Sequence, residues 1–288
     1  MDNIIWLASY PKSGNTWLRA FLSNLMSDST TPVDINQFNI GGPISSTRLF
    51  FDEYTGMESA HLSYEEIDNL LPKVHNMFGL KSQNKHFRKV HDAITLNSKN
   101  EPIIPIESTF RAIYLIRNPL DVCVSYAYHA GDNGFDRAIA AINNPEYTFE
   151  HTRKKQNNQL HQRLLSWSKH VKSWQQYMNE KLLIIRYEDM KHQTLESFSK
   201  IVQFVALEYG TEDIQQALEF CKLSKLQEQE NKKGFKEKLY KSQRFFRKGK
   251  TGSWREELTP QQIQLVINHH QEVMLEFGYL DNNLQPIF

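Results

Sequence analysis

Residues 3–16 constrain the fold of this chain more than any other segment. Asn3-Ile-Ile-Trp-Leu-Ala8 is apolar after its first residue, and a short apolar run bounded by turn residues reads as a buried strand. The turn Tyr10-Pro-Lys-Ser-Gly14 follows. Beyond it, Trp17, Leu18, Phe21, Leu22, Leu25 and Met26 fall on one face at the helical period of about 3.6 residues. Strand, glycine-containing turn and helix form the opening unit of a nucleotide-binding α/β sheet. In such a unit the turn's N–H groups, the positive end of the helix dipole and the Lys12 ammonium can converge on one anion. The segment is not the nucleoside-triphosphate loop G-x-x-x-x-G-K-[ST], because its lysine precedes its glycine. Taken alone, it is equally compatible with an ordinary turn and a solvated lysine.

The rest of the chain continues the alternation. Ser63 and Glu66 have capping-box spacing ahead of Ile67, Leu70 and Leu71, which predicts a helix through the sixties and seventies. A strand is expected near Phe87 to His91. Arg111-Ala-Ile-Tyr-Leu-Ile-Arg117 reads as another, ended by Asn118-Pro119 and followed by a helix from about Leu120 to Ala130. Leu182 to Tyr187 reads as a third strand, after the amphipathic stretch Leu160 to Tyr177 and before a helix starting near Gln193. Thr259-Pro260-Gln261-Gln262 opens a last helix that runs to about Phe277 and stops at Gly278. From Thr30 to about Ser59 periodicity fades, and a long loop is expected. The expected architecture is α/β and three-layered: a mainly parallel sheet with helices on both faces and a P-loop-like phosphate-binding loop. With 288 residues and no internal repeat or low-complexity linker, one domain over 1–288 is expected.

Composition narrows the partners. A formal charge of +1 supplies no global attraction to nucleic acid or anionic lipid, so any anion site must come from local clustering. One cluster exists: nine basic residues against the single acid Glu237 between Lys232 and Lys250. Two cysteines, Cys123 and Cys221, are too few for a disulfide framework, which fits a cytoplasmic chain. The N-terminal apolar run is too short for a secretory segment, and no run approaches a transmembrane span. None of the eleven histidines forms an H-E-x-x-H or Cys/His pattern, so no metal is expected.

Two further segments carry chemistry. In Arg117-Asn-Pro-Leu-Asp-Val-Cys-Val-Ser125 an arginine at a strand's C-terminal end precedes a serine on the next helix. Both would face the crevice where α/β sheets bind ligands, the arginine fork suiting a phosphate dianion. Alone, Arg117 could as well pair with Asp121 at the surface. In Phe246-Arg-Lys-Gly-Lys-Thr-Gly-Ser-Trp254 two adjacent cations precede a glycine that lets backbone approach a phosphate.

Together and in this order, YPKSGNTW, RNPLDVCVSY and RKG with TGSW resemble the cytosolic and bacterial sulfotransferase family. That resemblance spans nearly the whole chain. It implies transfer of a sulfuryl group from 3'-phosphoadenosine 5'-phosphosulfate (PAPS) to a hydroxyl or amine acceptor, with PAP as product. By the same resemblance Lys12, Ser13, Gly14, Asn15 and Thr16 hold the 5'-phosphate, and Arg117, Ser125, Arg247, Lys248 and Gly249 hold the 3'-phosphate. Trp17 aligns with the family's motif tryptophan but sits on the apolar helix face, and Tyr187 resembles the tyrosine near the adenine. Phe87-Arg-Lys-Val-His-Asp92 resembles the family's K-T-H segment, which makes His91 the catalytic base and places Lys89 beside the sulfuryl group. Such a base is needed because an attacking hydroxyl must lose its proton near neutral pH.

Ser253 and Arg255 stand where the family usually has aspartate and lysine, which puts the local loop geometry in question. Cys221, Lys222 and Leu223 replace its threonine, serine and phenylalanine beside the adenine. The acceptor is expected to be a small molecule, a lipid or a glycan, selected by segments Thr31 to Ser59, His129 to Gln159 and Asn231 to Phe246. No nucleic-acid partner is expected, and the dimer motif of animal relatives is not recognisable in Arg255 to Gln264. Two other readings of the phosphate elements are a nucleotide-dependent phosphotransferase or kinase and a non-catalytic anion-binding module.

Overall fold

The computed structural model describes residues 3–81, 84–132, 134–149 and 158–288. Residues 133 and 150–157, which belong to the second of the expected acceptor segments, lie outside them. Strand β1 (Ile4–Ser9) is buried at every position, as a strand between two neighbours and two helical layers must be. After it come α1 (Asn15–Leu25), a 3₁₀ turn at Ile35–Gln37, α2 (Arg48–Thr55), α3 (Tyr64–Lys81) and β2 (His86–Val90). Next in the chain are β3 (Thr109–Ile116), α4 (Pro119–Ala130), α5 (Asp136–Asn143) and the short antiparallel pair β4 (Thr148–Phe149) and β5 (Gln162–Arg163). The order continues with α6 (Trp167–Met178), β6 (Leu182–Arg186), α7 (Tyr187–His192), α8 (Thr194–Phe204), α9 (Thr211–Phe220), α10 (Leu223–Lys233), α11 (Trp254–Glu257) and α12 (Pro260–Glu276).

The four longer strands form one sheet in the order β2-β1-β3-β6, and β1 pairs parallel with β2 in the register Ile4↔His86 to Ala8↔Val90. A parallel pair needs a crossover of a dozen residues or more, and α1 to α3 lie in that connection. The protein therefore has a central parallel sheet flanked by helices. The chain divides into two compact units: Met1–Tyr10, Gly41–Tyr114 and Pro145–Ile184 form the first, and Pro11–Ile40, Leu115–Asn144 and Ile185–Phe288 the second.

Local signals acted as read. The Ser63 N–H donates to Glu66 Oε2 at 2.8 Å while the Glu66 N–H reaches Ser63 Oγ at 3.3 Å. Thr259 and Gln262 make the same reciprocal pair at the start of α12, and Asn118 caps α4 by accepting from the Leu120 N–H. The expected loop of residues 30–59 is a correction, since it contains α2. That helix is only eight residues long and buries the adjacent pair Phe50 and Phe51, so it shows too little 3.6-residue periodicity to be read from pattern. Its stop was visible in Gly56, which caps it in the left-handed conformation. The stretch Leu160 to Tyr177 divides into β5 and α6, with the Ser166 hydroxyl capping α6. Tyr187 opens α7 instead of closing β6.

Candidate active site

The second unit holds the expected phosphate-binding residues. Lys12 takes φ +74 and Gly14 φ +102 in the loop between β1 and α1. A lysine in the left-handed region is strained, and such strain persists only where the surroundings fix it. Arg117 does the fixing: Nη1 donates to the Lys12 carbonyl at 3.0 Å and Nη2 to the Lys250 carbonyl at 3.1 Å. One guanidinium thus ties the loop after β1 to the segment after Arg247. Its other face lies over the buried Tyr187 ring, 4.4 Å from the centroid. A Cβ on Gly14 would meet that ring at 2.8 Å, so only glycine fits there. The Ser13 hydroxyl is buried with no hydrogen-bond partner, and a phosphate oxygen at this loop would satisfy it. Lys12 Nζ stands 4.3 Å from the centre of the Phe245 ring.

The 245–254 segment is anchored by side chains that motif reading did not single out. Glu230, buried on α10, accepts from the Phe245 and Phe246 N–H groups at 2.7 and 3.0 Å. Gln227, one turn earlier, donates to the carbonyls of Phe246 and Arg247 at 2.9 and 2.7 Å. Asp121 accepts from the N–H groups of Gly252 and Trp254 at 2.8 and 3.2 Å. That carboxylate, arriving from α4, gives the loop around Ser253 its support, so the missing aspartate leaves no backbone unheld at these two positions. Arg117 does pair with Asp121, at 3.9 Å, but the pair is buried and not at the surface, and the guanidinium's hydrogen bonds go to the two carbonyls.

Arg247 stacks on Tyr128 at 3.8 Å and approaches Glu257 at 3.5 Å, while Lys248 Nζ reaches the same carboxylate at 3.1 Å. Burial works against the charge on Glu257, but hydrogen bonds from Lys248 and Tyr128 outweigh it and hold the carboxyl below its ordinary range. Gly249, at φ +56, is packed so that a Cβ would meet Leu223 at 2.8 Å. Leu223, at the position expected beside the adenine, therefore lies against Gly249, which is expected at the 3'-phosphate. Trp17 packs edge-on against Phe198 and Tyr187 at 5.2 and 6.0 Å, in keeping with its place on the apolar face of α1. Ser125 lies half-buried on α4, and Thr16 and Asn15 open α1. Further along the basic run, Lys232 pairs with Glu228, Lys233 with Asp34, and Lys236 with the Asn36 carbonyl. Two of these three cations are thus paired with carboxylates.

The first unit holds Lys89 and His91. The Lys89 backbone is bracketed by Gly41 and Ser45, whose carbonyl and N–H bond to its N–H and carbonyl at 3.1 and 2.9 Å. His91 Nδ1 lies 2.8 Å from the Ser9 carbonyl. A carbonyl can only accept, so Nδ1 carries the proton and, in the neutral ring, Nε2 is the basic nitrogen.

The backbone around His91 is gripped by α6. His170 Nε2 donates to the His91 carbonyl at 2.9 Å, and the Tyr114 hydroxyl bonds to His170 Nδ1 at 2.7 Å. Trp174 donates to the Asp92 carbonyl at 3.1 Å, and the Ile94 N–H donates to Ser173 Oγ at 3.0 Å. Burial pushes the His170 imidazole down to about 4, which keeps it neutral, and pushes the Asp92 carboxyl up to about 7. The signal for this grip was three polar-tipped residues at i, i+3 and i+4 within the amphipathic stretch; their partner 79 residues away was not readable.

The family model for the sulfotransferase domain matches residues 2–278. The chain belongs to the sulfotransferase family. Flavonol 3-sulfotransferase of Flaveria bidentis is 26% identical over 276 residues, covering 92% of this chain and 79% of that relative. Sulfotransferase 2A1 of Rattus norvegicus is 24% identical over 280 residues, covering 96% and 86%. Among solved structures, mouse sulfotransferase SULT7A1 complexed with PAP has a TM-score of 0.61 at 19% identity, covering 96% of this chain and 85% of that one. Retinol dehydratase in complex with androsterone and inactive cofactor PAP has a TM-score of 0.62 at 18% identity, covering 97% and 83%. These two structures share the fold. The sulfotransferase is an enzyme that moves a sulfuryl group from PAPS to a hydroxyl acceptor, and the phosphotransferase and binding-module readings fall away. Among the described residues, no helix of the sulfotransferase is long and apolar enough to cross a membrane.

Proposed function

We propose that the whole span 1–288 works as one sulfotransferase domain in which named residues divide the reaction between them. The observation that supports this reading best is the Arg117 guanidinium, which joins the carbonyls of Lys12 and Lys250 and so couples the two segments expected to bind phosphate. Lys12, Ser13, Gly14, Asn15 and Thr16 take the 5'-phosphate through the ammonium, the Ser13 hydroxyl and the start of α1. Arg117, Ser125, Arg247, Lys248 and Gly249 take the 3'-phosphate, which separates this donor from ordinary adenine nucleotides. Tyr187 flanks the adenine, and Trp17 supports it from the apolar side of α1.

His91 Nε2 accepts the acceptor's proton as the acceptor oxygen bonds to sulfur and the bond from sulfur to the phosphate oxygen breaks. Lys12 compensates the charge that builds on the departing phosphate, and Lys89 that on the sulfuryl oxygens. Proton removal and charge compensation are both supplied by side chains, so this division of labour calls on no metal. The acceptor is a small molecule, lipid or glycan bearing a hydroxyl or amine, nucleic acid is not a partner, and the enzyme works in the cytoplasm.

Calorimetric titration with PAP, with 5'-AMP as control, tests the donor assignment in the wild type, Lys12→Ala and Arg247→Ala. Tight PAP binding weakened in both variants, with little AMP binding, is expected. Equal binding of the two nucleotides, or variants that bind PAP like wild type, would remove these residues from the donor site.

A further inference from the structure

Arg88 carries a feature that sulfuryl transfer does not use. It follows Phe87 and precedes Lys89 on β2, so the pleat turns it to the opposite face from Lys89. The residue is only 6% exposed, yet its Nε and Nη2 are both buried without a hydrogen-bond partner. The guanidinium carbon lies 3.9 Å from the centre of the Phe50 ring and 5.0 Å from that of Phe78. No carboxylate among the described residues pairs with it. The neighbours that feel its charge are Tyr54 and His75. Burial, with the Arg88 charge added, pushes the His75 imidazole down to about 3, so this neighbour is neutral and offers no counter-charge. Burial pulls Arg88 itself down to about 10, which leaves it charged at neutral pH.

A buried cation with no anion is costly, and stacking on aromatic rings offsets only part of that. A water molecule could serve the N–H groups but not the charge. Nε–H and Nη2–H are the parallel pair along one edge of a guanidinium, the pair that takes both oxygens of an oxyanion at once. A carboxylate can meet this pair with both oxygens and supply the missing charge, and an aromatic or aliphatic body attached to it would find the Phe50 and Phe78 rings close by. Beside the site, a Cβ on Gly42 would come within 3.7 Å of Arg88 Nη1, and Gly41 and Gly42 both sit in the left-handed region at φ +80 and +49. Two consecutive glycines give the adjoining turn the freedom to let a ligand in. We infer that Arg88, walled by Phe50 and Phe78, is a binding site for a carboxylate, borne either by the acceptor or by a separate small acid.

The test measures thermal unfolding of the full chain against benzoate, with chloride at matched ionic strength, in the wild type and Arg88→Met. Methionine keeps the bulk and removes the buried charge, so the variant is expected to fold at least as well. A saturable rise in the wild-type Tm, with at least about tenfold more benzoate needed in the variant, is the expected result. Equal responses, or none in the wild type, overturn the site. Should the variant not fold, the Nε–H resonance of wild-type Arg88 decides: it shifts along a benzoate titration if the site is real and stays still if it is not. Sulfation of 4-hydroxybenzoate against phenol separates the sources. An acceptor-borne carboxylate raises KM for 4-hydroxybenzoate alone in Arg88→Met, and a separate acid leaves both KM values unchanged while the Tm response persists. PAP affinity stays the same in this variant, so failure here is distinct from failure of the donor assignment.

Discussion

The segments proposed to bind phosphate and the segment around His91 are held by different physics. In the first, charged groups grip backbone: Arg117 takes two carbonyls, while Asp121 and Glu230 each take two N–H groups. In the second, neutral groups do so: the His170 imidazole, itself held by the Tyr114 hydroxyl, the Trp174 indole and the Ser173 hydroxyl. A loop that meets a polyanion can keep its cations hydrated or exchanged, and charged tethers suit it. For the proton transfer proposed for His91, gripping groups that carry no charge leave its affinity for the proton unmoved, whereas the adjacent Asp92 carboxyl, pushed up to about 7, titrates in the same range.

The largest effect should therefore come from the neutral side. His91→Ala is expected to lower turnover by roughly 10²–10⁴-fold while leaving PAP affinity intact. Near-wild-type turnover would break the comparison by showing that the anchored imidazole does no proton transfer. On the charged side, Arg117→Lys keeps the charge but cannot hold two carbonyls in one plane. PAP affinity measured by calorimetry should fall by about ten- to a hundredfold, the worth of one or two charge-assisted hydrogen bonds. An unchanged affinity would mean that charge alone suffices there.

Asp121→Ala strands the N–H groups of Gly252 and Trp254, and the unfolding free energy from urea titration should drop by about 2 kcal/mol. A loss confined to PAP binding would show instead that the tether shapes only the site. The smallest effect concerns pH. His75, His170 and His270 are pushed down by burial to about 3, 4 and 3, so between roughly pH 6.5 and 4 the unfolded chain binds protons that the folded chain does not. Their contribution to stability is complete above that window and is lost as pH falls through it. Asp92, raised to about 7, and Glu188, also raised, work in the opposite direction, since the folded chain keeps protons there that the unfolded chain releases. His170→Gln can keep both hydrogen bonds without titrating. Within this window the variant's stability should fall less steeply, by up to about 1.4 kcal/mol per pH unit. An unaltered slope would show that His170 is not held neutral.

Much of the framework was legible because its causes are local. The buried run Ile4 to Ala8, the capping boxes at Ser63 and Thr259, and the Asn118-Pro119 boundary each act within a few residues. The three segments proposed to bind phosphate stood out as motifs. What the sequence withheld depends on pairing across long separations: His170 with the His91 carbonyl, Asp121 with the Gly252 N–H, and Glu230 with the Phe245 and Phe246 N–H groups. Helix α2 was hidden for a different reason, being too short for its two buried phenylalanines to mark a face.

Glu257 has a consequence for selectivity. Because Arg247 and Lys248 both lean on this carboxylate, the proposed 3'-phosphate position comes with a tethered competitor. An arriving anion gains only the difference between itself and Glu257, so a monoanion has little to win and a dianion has more. The carboxylate acts as a threshold: removing it should make the position greedier for every anion and poorer at telling them apart.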